Sequence, residues 1–252
     1  VSIVLDRVAV RVDVDGQTAP KTLLTGLSLD LTERRIGVIG ANGSGKSTLL
    51  RLLNGLVAPS SGSVAIDGRD TVRAVREVRR RVGFVFTDPL SQLVMPTGRE
   101  DVELSLRRSV RNTRERRSLA EGALDRFGLL ELADRSIYEL SGGERQLLAL
   151  AAVLAVDPEV LVLDEPSTLL DLRNRELLRR TLAGLSQQVI LSTHDLDLAL
   201  DMDRVLVVDA GQVVFDGGAA AAVDHYRALS AAGLAPAGPS PARPEAPRQE
   251  QR

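Results

Sequence analysis

A chain of 252 residues with 44 % hydrophobic content can bury one large core or two small ones. With aromatics at 2 % and no tryptophan, that core has to be built from Leu, Val, Ala and Ile. A formal net charge of −2 argues against a nucleic-acid partner, and the absence of cysteine excludes disulfides and cysteine-ligated metals, in keeping with a reducing compartment.

From Val1 to Asp30 the pattern alternates and is punctuated by turn residues, which predicts antiparallel strands. Acidic and basic residues interrupt VSIVLDRVAV, so no targeting segment is expected there. Arg35 to Gly40 (RIGVIG) predicts a short buried strand, and Ser47 to Leu56 a helix. SGSVAIDG (Ser61 to Gly68) reads as a hairpin returning to the first sheet, and Arg81 to Phe86 as a further strand.

Residues 88–139 are arginine-rich with a helical pattern. Arg73, Arg76, Arg79, Arg80 and Arg81 precede this stretch; Arg107, Arg108, Arg111, Arg114, Arg116 and Arg117 lie within it. Such a cluster is either a solvated helical face or a surface facing an acidic partner or anionic lipid. Glu144 to Ala155 predicts a helix with Leu147, Leu150, Ala151 and Leu154 on one face. The apolar run Leu147 to Val156 has about half the length that spans a bilayer.

Strand Val160 to Leu163, helix Asp171 to Leu185 and strand Val189 to Ser192 then alternate, as in an open parallel sheet with helices on its faces. Arg204 to Asp209 and Gln212 to Phe215 predict a hairpin around Ala210-Gly211. From Gly233 the chain is rich in Pro and Ala without apolar periodicity, and residues 233–252 are expected to be a disordered tail. No internal repeat is visible.

Four segments carry chemistry. Gly40, Gly45, Lys46 and Ser47 satisfy G-x-x-x-x-G-K-S within GANGSGKST. The glycines let successive N–H groups point at phosphate oxygens, Lys46 reaches the β- and γ-phosphates, and the Ser47 hydroxyl can ligate Mg²⁺. A chance glycine-rich loop is the alternative, but this one follows a predicted strand and opens a predicted helix. Asp164 and Glu165 end an apolar strand; alone they would read as a polar terminus. His194, after VILST, would alone read as structural. Leu140-Ser141-Gly142-Gly143-Glu144 opens a helix whose N–H groups can meet an anion.

Together these segments resemble the ATP-binding subunits of ABC transporters, over roughly residues 3–232. The resemblance implies an α/β P-loop ATPase: a mostly parallel core sheet, an N-terminal antiparallel β subdomain and a helical insert at about 88–155, all within one domain, 1–232. It implies ATP held by Gly40, Ala41, Asn42, Gly43, Ser44, Gly45, Lys46, Ser47 and Thr48, and Mg²⁺ by Ser47 and Asp164. Glu165 then polarises the attacking water and His194 holds the γ-phosphate. Ser141, Gly142 and Gly143 act on ATP held by a facing second ATPase subunit, and Thr168 to Asp171 couple the two sites.

Three positions depart from the family pattern. Thr87 stands where a glutamine is usual, Glu144 ends the signature in place of glutamine, and Val12 lies where an aromatic usually stacks on adenine. Without that stacking, weaker discrimination for adenine is expected.

Phe86 to Leu93 (FTDPLSQL) with the following VMPTGREDV resembles the energy-coupling-factor branch, and within it the biotin-type ATPases. This resemblance implies a peripheral protein at the cytoplasmic face of the membrane. Its partners would be a transmembrane coupling protein and a small substrate-capture membrane protein, met through a groove lined by residues 88–101, with Leu93 and Met95 as contacts. A cobalt-type metal importer, a soluble ABC-type protein of DNA repair or translation and a non-hydrolysing nucleotide clamp are the alternatives. Glu165 and His194 speak against the clamp, and a single cassette without sustained heptads speaks against the soluble proteins.

Overall fold

The computed structural model describes residues 1–13 and 19–233; the expected tail from 234 onward lies outside the described residues. Strands β1 (Ile3–Val12), β2 (Lys21–Leu31), β4 (Ser61–Ile66) and β5 (Arg69–Asp70) form a four-stranded sheet in the order β2-β1-β4-β5. Each pairing in it is antiparallel. The segment from Ser61 is the first arm of the β4–β5 hairpin, and β4 lies against β1.

The second sheet has six strands, ordered β10-β9-β3-β8-β7-β6. They are β3 (Arg35–Ile39), β6 (Val82–Val85), β7 (Val160–Asp164), β8 (Gln188–Ser192), β9 (Arg204–Asp209) and β10 (Gln212–Gly217). All neighbours are parallel except β9 and β10, which form the hairpin expected around Ala210-Gly211.

Strands β3, β7 and β8 are buried at every position, as befits parallel strands covered on both faces. Successive side chains alternate between two cores. Leu161, Leu163, Val189 and Leu191 face the helical side, while Val160, Val162 and Ile190 face the four-stranded sheet. On that second side helix α1 (Lys46–Leu53) buries Leu49, Leu50, Leu52 and Leu53.

Helix α2 (Val75–Arg81) takes up Arg81, which the sequence reading assigns to the next strand. It buries only Val78, so apolar periodicity gives little sign of it. Two of its arginines are struts: Arg79 donates to the carbonyls of Asn54 and Gly55, and Arg81 bridges Asp67 and Glu159.

The insert comprises α3 (Gly98–Leu106) and α4 (Thr113–Asp125), flanked by single helical turns at Pro89–Ser91 and Leu130–Leu132. Val102, Leu106, Ala120 and Leu124 join it to the core that also takes α5 (Gly142–Leu154). Arg116 lies 3.7 Å from Glu103 and Arg117 3.4 Å from Glu121, whereas Arg107, Arg108, Arg111 and Arg114 are solvated.

Helix α6 (Leu172–Gly184) starts at an Asp171 N-cap, α7 (Leu196–Leu200) follows β8, and α8 (Ala219–Gly233) closes the described chain. His225 on α8 stacks on Phe215, ring centroids 5.0 Å apart.

Candidate nucleotide site at the strand ends

The loop 40–45 joins β3 to α1, where a parallel sheet opens its ligand crevice. Gly40, Gly43 and Gly45 all have positive φ. At Gly40 a Cβ would stand 2.1 Å from the Val208 carbonyl oxygen, so only glycine lets the loop pass β9. The β9–β10 turn braces the loop from the far side, because the Gly211 N–H donates to the Ser44 carbonyl at 2.8 Å. No side chain caps α1 at Gly45, which leaves its first-turn N–H groups to an anion.

Ala41, Asn42 and Gly43 are exposed, Ser44 and Lys46 buried, and Ser47 and Thr48 half-buried. The Lys46 ammonium donates to the carbonyls of Gly40 (2.9 Å) and Ala41 (3.1 Å) and lies 3.8 Å from Glu165 Oε1. One ammonium thus reaches from the loop to the acidic strand end.

Asp164 is 1 % exposed. Its Oδ1 accepts from the Ser47 hydroxyl (2.9 Å) and the Ser192 hydroxyl (2.7 Å). Its Oδ2 is buried without a hydrogen-bond partner, and the Arg51 guanidinium is 3.9 Å away. A buried carboxylate oxygen left over beside a hydroxyl is the hard oxygen donor set that suits Mg²⁺.

Glu165 Oε2 accepts from the His194 backbone N–H (3.1 Å) and lies 2.7 Å from its Nδ1. The chain brings Lys46, Ser47, Asp164, Glu165 and His194 into one cluster from β3–α1, β7 and β8, adjacent by strand order and not by sequence.

Ser141 caps α5 in a reciprocal box: its N–H donates to Glu144 Oε2 (2.7 Å), and its hydroxyl accepts from the Glu144 N–H (3.2 Å). The capping box takes glutamate as readily as glutamine, which gives Glu144 a local reason. Those bonds from Ser141 hold the Glu144 carboxyl below its ordinary range. A Cβ at Gly143 would stand 3.3 Å from the Leu169 carbonyl oxygen, so the signature helix start lies directly on the 168–171 segment. No hydrogen bond of the described residues joins 141–143 to 40–48. Val12 sits at the end of β1 opposite Lys21, 37 % exposed.

Thr87 is half-buried just beyond β6. Two glutamines hold the residue before it: Gln92 Oε1 accepts from the Phe86 N–H at 3.0 Å, and Gln146 Nε2 donates to the Phe86 carbonyl at 3.4 Å. A groove of about 430 Å³ opens beside it, walled by Phe86, Gln92, Val94, Leu104, Val153 and Val156. Leu93, expected in that groove, is instead a core residue at 6 % exposure, and Met95 lines a separate cavity with Arg107 and Arg116. Val94, 74 % exposed, takes the groove position because neighbouring side chains of a turn face apart. Sequence reasoning also passed over Ser192; its signal, a hydroxyl ending a buried strand, acquires meaning only once β8 lies beside Asp164.

Comparison with known proteins agrees with this geometry. The family profile described as ABC transporter matches residues 24–168. The biotin transport ATP-binding protein BioM of Rhizobium etli is 46 % identical over 211 residues, 84 % of this chain and 94 % of BioM. The cobalt import ATP-binding protein CbiO of Syntrophus aciditrophicus is 39 % identical over 206 residues, 79 % of this chain and 74 % of that protein. Among solved structures, the dimeric post-hydrolysis ATP-binding cassette MJ0796 bound to ADP and Pi superposes with a TM-score of 0.79 at 28 % identity, covering 86 % of this chain and 98 % of that one. Clostridium perfringens cbiO1, part of the ABC transporter complex cbiONQ, gives 0.74 at 28 % identity, covering 93 % and 95 %.

Proposed function

The chain belongs to the ABC transporter family of ATP-binding proteins and hydrolyses ATP, and we propose that it does so to power biotin uptake by an energy-coupling-factor importer. The observation that carries the cargo is the 46 % identity to BioM across 94 % of that protein. A transition-metal importer is the second reading, favoured by the 39 % identity to CbiO.

In this reading the N–H groups of residues 40–48 and the Lys46 ammonium bind the phosphates, and release of Lys46 from the Gly40 and Ala41 carbonyls accompanies ATP entry. Ser47 and Asp164 would hold Mg²⁺, which supplies charge neutralisation on the phosphate oxygens. The Glu165 carboxylate orients the attacking water by accepting its hydrogen bond, and His194 fixes both that carboxylate and the γ-phosphate. Val12 offers the base an apolar contact without stacking, so ATP and GTP are expected to bind with similar affinity.

A second cassette faces the first, and Ser141, Gly142 and Gly143 of each meet the ATP of the other, with the 168–171 segment relaying between sites. The groove at Val94 takes the transmembrane coupling protein at the cytoplasmic face of the membrane, and a small membrane protein captures the cargo. Among the described residues no helix is long and apolar enough to cross a bilayer. The test is to tag the chain, solubilise native membranes gently and identify what co-purifies. A coupling protein plus a small apolar protein that retains labelled biotin supports the proposal. Retention of a metal ion instead favours the second reading, and recovery with a conventional permease refutes the branch.

A further inference from the structure

Ser192 ends β8, is fully buried, and stands opposite Asp164 in the β7–β8 register. Its hydroxyl has one proton and two lone pairs, and both capacities are used within the site. The proton goes to Asp164 Oδ1 at 2.7 Å, and a lone pair accepts from the Glu165 N–H at 3.0 Å. The Ser192 carbonyl lies 3.2 Å from that same N–H.

Glu165 needs such a hold. Its φ of +52° is left-handed, a conformation disfavoured for any residue with a side chain. That backbone turn carries its carboxylate off the line of β7 to His194. Asp164 Oδ1 has two donors, Ser47 and Ser192; if Ser47 turns to a cation and phosphate, Ser192 is the one that remains.

We infer that Ser192 is a positioning residue for ATP hydrolysis. Its hydroxyl is the hub that fixes the Asp164 carboxylate and latches the Glu165 backbone in its left-handed turn. The inference rests on the ATPase reading for its effect on rate, but the latch itself can be read without nucleotide.

The experiment uses Ser192→Ala and Ser192→Thr in the full chain. Amide hydrogen exchange at Glu165 is measured on the purified protein, and kcat and KM for ATP on the complex with its co-purifying subunits. Loss of a hydrogen bond to a charged group predicts roughly ten- to a hundredfold lower kcat for Ser192→Ala. Exchange at Glu165 should rise about tenfold, with KM within about threefold of the parent, and Ser192→Thr should restore kcat and exchange. If Ser192→Ala leaves exchange and kcat within about twofold, or raises KM while kcat holds, the inference is wrong. A threonine variant as impaired as alanine at unchanged Tm also overturns it. Where threonine lowers Tm, the alanine pair of readouts decides alone. A parent complex that hydrolyses no ATP sinks the ATPase reading, and the exchange measurement still judges the latch.

Discussion

Glu165 makes two bonds to His194 and stands 3.8 Å from Lys46, so its charge is held on both sides while it remains 13 % exposed. Under the proposed mechanism, Glu165→Gln removes the carboxylate that orients the attacking water but leaves the phosphate loop intact. Phosphate release should fall at least about a hundredfold, with ATP affinity changed less than severalfold. Undiminished turnover would mean that another group orients the water. Glu144 is a second residue whose charge has a defined job. Its folded pKa is depressed by the Ser141 bonds, so the stability it contributes is present above the ordinary carboxylate value of 4.5 and fades as pH falls through the lower folded value. Glu144→Ala should cost roughly 1 kcal/mol at neutral pH, the usual scale of a helix cap, and the difference from the parent should shrink below pH 4.5. Denaturant melts at pH 7 and in acid measure both. Type and place alone read Glu165 as part of a polar strand terminus and Glu144 as a departure from the family signature; the role expected of Glu165 came from the resemblance, and the bonds around both residues, such as the serine hub at 192, were not visible in the sequence.

Elements differ in how openly the sequence declares them. β7 and β8 are unbroken apolar runs, and their complete burial follows from a parallel sheet covered on both sides. Leu163 has no exposed surface and lies in the helical-side core, so Leu163→Ala should destabilise by about 2–5 kcal/mol in an equilibrium melt. Helix α2 is hidden from the sequence because it buries one residue and is otherwise held by Arg79 and Arg81 to distant carbonyls and carboxylates. The turn after β6 shows the same limit at finer grain. The family resemblance implies Leu93 and Met95 as groove contacts, but the fold puts Leu93 inward and Val94 outward. Val94→Asp is therefore expected to abolish cargo uptake in vesicles while leaving ATP binding within about twofold. Loss of nucleotide binding by that variant would remove the groove from the coupling path.

At the scale of the whole molecule, the charged cluster at the strand ends and the signature helix start are separate surfaces of one chain; the helix start contacts Leu169, and the Thr168 N–H donates to the Glu165 carbonyl at 3.3 Å. Leu169, 44 % exposed, makes that contact, and together with Leu172, 83 % exposed, it leaves apolar surface on this segment that a second copy can cover. With hydrolysis blocked by Glu165→Gln, ATP should convert the chain from monomer to dimer in sedimentation experiments, and ADP should not. A chain that stays monomeric at saturating ATP would mean that the facing cassette is a different protein. The four-stranded sheet, the six-stranded sheet and the insert are held around the phosphate loop by two cores that share the strands β3, β6, β7, β8 and β9.

The sequence by itself determined the phosphate loop, the acidic strand end, the signature and the α/β order, because each is a local pattern: residue spacing, apolar period or a cap. Only the tertiary structure decided that Ser192 joins Asp164 to Glu165, that Gly211 braces the loop, that Arg81 belongs to a helix and that Val94 faces the groove. Those contacts join residues from 14 to 167 positions apart or depend on which way one turn faces. They exist because parallel strands far apart in sequence end side by side, and strand register is not written in any one segment.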